Sequence, residues 1–312
     1  MVSAFTITKY VQFRQATRRA VFLNSQVLHT RGTRSLSLGA LFSPLSPLTG
    51  IYTYACERAG QGSSLFAQVY HPEGSGAAYC LFLAPARAIN AAGVAQLLDD
   101  IIADLGNQGV HHLVAEVDEQ HQVVTLLRKN GFSIYTRQQV WRVTQDPAPR
   151  AQASWRPMEA RDHLTADLLH KAVVPGQVLQ MELQPRHQRE SFAYYRQGEM
   201  LAFAEVEPGS RGLWVQPFVH PDAVPFEQPL AELLSHLGPA PRKPVYVVLR
   251  AYQDWLQSAL QDLGGRPGPR QVVMVRRTSL PLPVEDPLLR LALSGRPDPS
   301  APIRARQTFY EN

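Results

Sequence analysis

Leu113-Val114-Ala115-Glu116-Val117 lies over Tyr246-Val247-Val248-Leu249-Arg250, without a gap, when the chain is shifted by 133 residues. At the same shift Val123-Val124-Thr125-Leu126-Leu127 falls on Leu256-Gln257-Ser258-Ala259-Leu260, and Asn130-Gly131-Phe132 on Leu263-Gly264-Gly265. Gln139-Val140-Trp141 comes within one residue of Gln271-Val272-Val273-Met274. Upstream the register slips by a few residues, as loops of unequal length dictate, and Leu83-Ala84-Pro85 matches Val219-His220-Pro221. Self-similarity at a fixed offset is a statement about architecture: one supersecondary unit is present twice.

Each copy has the same order. An apolar strand (Ala78–Leu83; Leu213–Val219) ends at a proline. A helical stretch follows, with Leu97, Leu98, Ile101, Ile102 and Leu105 at helical spacing in the first copy and Leu230, Leu233, Leu234 and Leu237 in the second. A buried strand comes next (His112–Val117; Val245–Leu249), then a short amphipathic helix that stops at Gly131 or Gly264, a residue suited to a left-handed cap. A closing β-run completes the unit (Ser133–Val143; Gln271–Thr278). Two antiparallel strands precede each copy, Tyr52–Glu57 with Ser64–His71 and Ser191–Arg196 with Met200–Glu207. The order ββ-β-α-β-α-β predicts an α/β fold of the α+β kind, with two tandem domains. Each domain is a mostly antiparallel twisted sheet with helices on its faces.

The expected domains are 1–146 and 150–278. Proline marks the change between them: four of 25 prolines precede residue 147, and the Asp146-Pro147-Ala148-Pro149 stretch reads as a linker. Residues 279–312, with Pro281, Pro283, Pro287, Pro297, Pro299 and Pro302, read as a tail that wraps a domain or stays mobile.

Composition excludes several function classes. The 312 residues carry 31 Lys+Arg and 26 Asp+Glu, a formal net charge of +5, and neither half has the basic excess that nucleic acid demands. The Tyr194-Tyr195-Arg196 cluster offers a stacking surface, but strand tyrosines ordinarily pack. No apolar run of 18 or more residues predicts a spanning helix, so no membrane partner is expected. Two cysteines, Cys56 and Cys80, make neither a disulfide framework nor a zinc site, and a reducing, cytoplasmic home is the simplest reading. Residues 1–56 hold Lys9, Arg14, Arg18, Arg19, Arg31 and Arg34 and no acidic residue. That composition fits a targeting segment, or the first strand and helix of a domain. Walker loops, Gly-x-Ser-x-Gly elbows and His-Glu-x-x-His motifs are absent from the sequence. His111-His112 places its side chains on opposite faces of a strand, so no metal is expected there.

The first copy, LAPARAINAAGVAQLL…HHLVAEVDEQHQVVTLLRKNGFSIYTRQQVW, resembles the GCN5-related N-acetyltransferase (GNAT) family. Its strand-helix-strand-helix order and its ending LLRKNGFSIY are similar to that family's C-terminal half. The second copy, WVQPFVHP…VYVVLRAYQDWLQSALQDLGG…QVVMVRR, is a more distant likeness, and SWRPMEARDHLTADLL at 154–169 resembles the family's opening strand and helix. The resemblance implies acetyl-CoA as cofactor, its pyrophosphate cradled on a Gln/Arg-x-x-Gly-x-Gly/Ala loop at a helix N-terminus, where free N–H groups and the dipole meet an anion. In the first copy Ala88, Ala91 and Gly93 fall on the three motif positions, of which only Gly93 matches fully, and Arg87 stands one residue early, so the phosphate loop is degenerate. Leu83, Arg87, Ala91, Gly93 and Val94 are therefore the expected cofactor-binding residues. In the second copy the positions hold Val224, Glu227 and Pro229: a carboxylate repels pyrophosphate and proline lacks the donor, so this domain is not expected to bind CoA.

The family's tyrosine acid is replaced by Leu127 and Leu260, and the asparagine often found earlier on that helix by His121 and Asp254. Glu116 and His121 are the candidate catalytic pair, Glu116 as a base acting directly or through water. Each also has a plain alternative: Glu116 as a solvent-facing strand carboxylate, His121 as a polar helix-start residue near Asp118. Two functions follow. One is acyl transfer from acetyl-CoA to an unidentified small-molecule or peptide amine, with at most the N-terminal domain active. The other is a non-catalytic tandem module that binds a ligand or protein, since fold does not carry function with it.

Overall fold

A computed structural model describes residues 2–4, 10–32, 50–56, 64–89, 91–144, 155–181, 190–237 and 243–278. The expected linker at 146–149 and the Pro-rich tail at 279–312 lie outside the described residues. The strands are β1 (Val2–Ala4), β2 (Val21–Phe22), β3 (Ile51–Cys56), β4 (Leu65–Tyr70), β5 (Ala77–Ala84), β6 (His112–Asp118) and β7 (Ser133–Val143). The second half adds β8 (Trp155–Pro157), β9 (Glu190–Arg196), β10 (Glu199–Pro208), β11 (Leu213–Val219), β12 (Val245–Arg250) and β13 (Arg266–Arg277). The helices are α1 (Tyr10–Thr17), α2 (Ser25–Thr30), α3 (Ala91–Asn107), α4 (Val123–Lys129), α5 (His163–Val173), α6 (Gly176–Leu179), α7 (Glu227–His236) and α8 (Gln257–Asp262).

The helical stripe at Leu97, Leu98, Ile101, Ile102 and Leu105 is buried against the sheet, as its 3.6-residue period requires. Both amphipathic helices end in the same way. Gly131 and Gly264 have positive φ, and the next residue bonds back, Phe132 N–H to the Leu127 carbonyl and Gly265 N–H to the Leu260 carbonyl. The repeat is thus conserved down to its caps.

All the described strands join in one sheet, in the order β1-β3-β4-β5-β6-β13-β7-β12-β11-β10-β9-β8, with β2 added on β5. The pairing is antiparallel except for β5 with β6 and β11 with β12, the strands joined by helices α3 and α7. The closing strands change partners. β7, from the first copy, pairs with β12 of the second, whereas β13, from the second, pairs with β6 of the first. β7 and β13 then pair with each other, and Gln138 faces Gln271, its own counterpart at the 133-residue offset. The exchange extends to the cores: Val272 and Met274 complete the apolar cluster around α3, and Trp141 and Val143 complete the cluster around α7.

The second half opens on a polar clamp. Arg156 grips the buried Asp162 with two 2.7 Å bonds, Tyr195 donates to the same carboxylate at 2.8 Å, and the Arg156 guanidinium lies over the Tyr195 ring. The Arg156 guanidinium holds the Asp162 carboxyl well below the usual carboxylate range. Tyr194 packs on Trp155 and Phe226. Cys56 and Cys80 are buried free thiols, and burial pushes Cys80 up to about 12. Among the described residues no helix is long and apolar enough to cross a membrane.

Because each core is closed by the other copy's last strand, the halves should not be stable apart. Fragments 1–146 and 150–278 made separately are expected to aggregate or self-pair, and to recover a 1:1 complex when co-expressed. A monomeric, cooperatively melting 1–146 fragment on size-exclusion chromatography and calorimetry would contradict this.

Candidate functional site

Parallel strands that pair at one end and part at the other leave an opening in a sheet. β5 and β6 pair only through Ala77, Ala78 and Tyr79 with His112, Leu113 and Val114; beyond that point the strands part. β11 and β12 do the same, pairing from Leu213 to Val215 only. Backbone groups left at these edges need partners. The two halves supply them differently.

In the first half the chain returns and fills the opening. Val21 pairs with Leu83 and Phe22 with Phe82, and Leu23 bridges both strands. Leu23 N–H donates to the Leu81 carbonyl at 2.9 Å, and Glu116 N–H donates to the Leu23 carbonyl at 2.8 Å. Leu23 is 1% exposed and belongs to the α3 core cluster. Asn24 then caps α2 by accepting from Val27 N–H. The Glu116 carboxylate accepts from Ser25 N–H at 2.8 Å, at the positive end of that helix. Ser25 Oγ donates to Gln271 Oε1, which also accepts from Gln138 Nε2; Arg250 in turn donates to Gln138 Oε1.

Helix α2 continues onto the second half. His29 stacks on Tyr246 at 4.5 Å, the Thr30 carbonyl accepts from Arg211 N–H, and Arg31 pairs with Glu207. A Cβ at Gly209 would lie 2.4 Å from the Thr30 carbonyl oxygen, so this approach needs glycine.

The expected site residues take these places. Leu83 is fully buried and paired with Val21; Val94 is fully buried on α3. Arg87 is exposed on a short 3-10 turn, Ala86–Ala88, ahead of α3; Ala91 begins that helix and Gly93 is buried in its first turn. Glu116 is half-buried as described. His121 Nδ1 accepts from Val123 N–H at the start of α4. Glu116 and His121 thus each serve a helix start, and neither bonds the other. The sequence does not reveal β2: Val21-Phe22-Leu23 is too short an apolar run to announce a partner far along the chain.

In the second half the edge is satisfied by one side chain. Gln253, 1% exposed, sits at a non-helical break (φ −121°, ψ 19°) in the 3-10 segment Ala251–Leu256. With its amide oriented by the hydrogen-bond pattern, it donates to the Pro217 carbonyl at 2.7 Å and accepts from Val219 N–H at 2.8 Å. Pro217 is tolerated within a central strand because its missing N–H would face this opening. Beside it His170 is buried edge-to-face against Phe218, its centroid 4.9 Å away. Burial lowers its pKa to about 4, against an opposing contribution from Asp167. At the start of α7, Glu227 holds the first position, and the Pro229 carbonyl accepts from Trp155 Nε1 at 2.7 Å.

The two helix starts differ in what they offer an anion: the first turn of α3 holds no acidic residue, whereas that of α7 holds the Glu227 carboxylate and Pro229, which lacks an N–H donor.

No family model matches the sequence, and no curated protein matches it. Solved structures do match the fold. A tandem GNAT protein from the clavulanic acid biosynthesis pathway, solved without AcCoA, superposes with a TM-score of 0.55 at 12% identity, covering 89% of this chain and 99% of its own. A GCN5-related N-acetyltransferase from Sphaerobacter thermophilus gives 0.53 at 11% identity, covering 89% and 95%. A putative acetyltransferase from Pyrococcus horikoshii gives 0.53 at 11%, covering 90% of each. The chain therefore has the GNAT acetyltransferase fold, and its likeness to a tandem member runs over most of its length.

If Glu116 acts as a helix cap, Glu116→Gln, which keeps an acceptor, should leave the melting temperature nearly unchanged. Glu116→Ala should cost about 1–2 kcal/mol in denaturant unfolding. Equal losses in both variants would show that the charge itself is required. His170 gives a pH test. Its folded pKa lies below its unfolded value, so the unfolded chain gains the proton first, and stability falls as pH drops from 6.5 toward 4. His170→Gln should flatten that part of the melting-temperature profile.

Proposed function

We propose that this chain is a tandem GNAT-fold protein that works by binding a ligand or protein, without acyl-CoA-dependent turnover. The observation that carries this reading is Leu23. Its main chain spans the first opening with one hydrogen bond to each strand, and its side chain is sealed in the core. Removing it would break the β2 pairing, the Glu116 contact with Ser25 and the hydrogen bonds that run on to Gln138. The general base expected on β6 is engaged in that same structure. In the second half the loop chemistry opposes an anion.

One observation favours a second reading, acyl transfer by the N-terminal half. The first turn of α3 carries no acidic residue, Gly93 stands in it, and Arg87 lies exposed just ahead. That helix start remains compatible with phosphate, and an amine acylation would follow if β2 withdrew. A single experiment separates the readings. Acetyl-CoA and CoA are titrated calorimetrically into the full-length chain and into Gly93→Glu. The binding-module reading expects no heat and no shift in melting temperature in either protein. One-site binding tighter than about 100 µM, abolished by Gly93→Glu, would instead establish the acyl-CoA reading and call for an amine-substrate screen.

A further inference from the structure

We propose that the opening between β11 and β12 is a docking slot for an extended peptide segment with apolar and uncharged or basic side chains, closed in this structure by the Gln253 carboxamide. The inference rests on the binding-module reading and names its site. The internal repeat supplies the first argument. Leu81 and Leu83 of β5 correspond to Pro217 and Val219 of β11, and in the first half this edge accepts the extended main chain of residues 21–23. In the second half the same two positions are satisfied by one carbonyl and one N–H group of a single primary amide. That is the least an extended residue can offer, and an added strand offers more.

The slot has no strand of its own among the described residues: β11 is flanked by β10 and, where the ladder holds, β12. After α5, the helix that follows β8 as α1 follows β1, the chain runs Val174-Pro175; the Val174 N–H donates to the His170 carbonyl and Pro175 has no donor. Gln253 leaves by side-chain rotation at a break in its helix, and the ligand remakes both bonds. Next to this edge, packed on Phe218, the buried His170 Nε2 has no hydrogen-bond partner among the described residues.

The surroundings define the occupant. Val224 follows β11 and Trp255 follows β12; they are 57% and 38% exposed. Asp222 and Asp254 are exposed at the same ends and Glu227 is half-buried; Arg196 reaches in from β9 to donate to the Asp222 carbonyl. An anionic ligand is disfavoured by the three carboxylates, and a peptide backbone carrying apolar side chains fits both features.

The probe is a fluorescein-labelled, amidated peptide with the sequence of residues 20–24, the segment that fills the first opening. Fluorescence anisotropy is measured with the full-length chain, and the expected result is binding at least about tenfold tighter to Gln253→Ala than to the unaltered protein. Methylating the peptide's backbone nitrogens should abolish binding, and Trp255→Ala should weaken it. If Gln253→Ala lowers the melting temperature, Gln253→Met, of similar length, serves in its place. Equal affinity with and without Gln253, no binding to either, or indifference to N-methylation would overturn the proposal. Acetyl-CoA is titrated in parallel: binding lost in Gly93→Glu defeats the binding-module reading, while displacement of the peptide from Gln253→Ala defeats the peptide assignment itself.

Discussion

The antiparallel pairing of β7 with β13 is the constraint on which the rest of the structure depends. These strands are the last of each repeat copy, and each lies against the other copy's inner strand. Their pairing makes one sheet of two units and inserts Trp141 into one core and Met274 into the other. At its centre Gln138 and Gln271, equivalent residues of the two copies, face each other and bond through their side chains. Two buried amides in a β-centre are costly unless satisfied, and here Ser25 and Arg250 complete the set. A shift of register by one residue would turn all of these groups to the other face.

That polar chain also ties the centre to the openings. Ser25 begins the helix that follows the segment filling the first opening, and Arg250 ends the strand whose next turn carries Gln253. One fold has met the same requirement twice. A sheet that must part between its parallel strands leaves carbonyl and N–H groups without a ladder, and burial forbids leaving them unpaired. The first copy satisfies them with main chain, the second with a side chain. The solutions differ in what removal would disturb: a strand, a helix cap and a core leucine in one case, two hydrogen bonds of one residue in the other. This difference separates a closed site from one with a replaceable closure.

Much of the fold is legible in the sequence. Strand and helix periods place β5, α3, β6, α4 and β7 within a few residues, and the glycines at 131 and 264 mark the caps they form. Tyr194 and Tyr195 pack and bond as strand tyrosines ordinarily do. The site was less legible. Glu116 is visible in the sequence as a carboxylate on β6, but its partner, the Ser25 N–H, lies 91 residues earlier and belongs to no motif. Gln253 stood in plain sight beside Asp254, yet a glutamine in a helix-like stretch gives no sign that its amide braces a strand edge.

What the sequence by itself determined is the repeat, the order of its elements and the residue types at each helix start, Gly93 in one copy and Glu227 with Pro229 in the other. These are properties of local period and residue type, which act within a turn or two of chain. The tertiary structure alone decided which copy's closing strand lies beside which inner strand, and what fills the openings. Both β7 and β13 have a strand's alternation and would pair with either neighbour on local grounds; the choice rests on register, on the Gln138–Gln271 contact and on which core Trp141 enters. The occupants of the openings are likewise set by long-range hydrogen bonds that backbone groups must make once they are buried. No local pattern encodes which distant residue will make them.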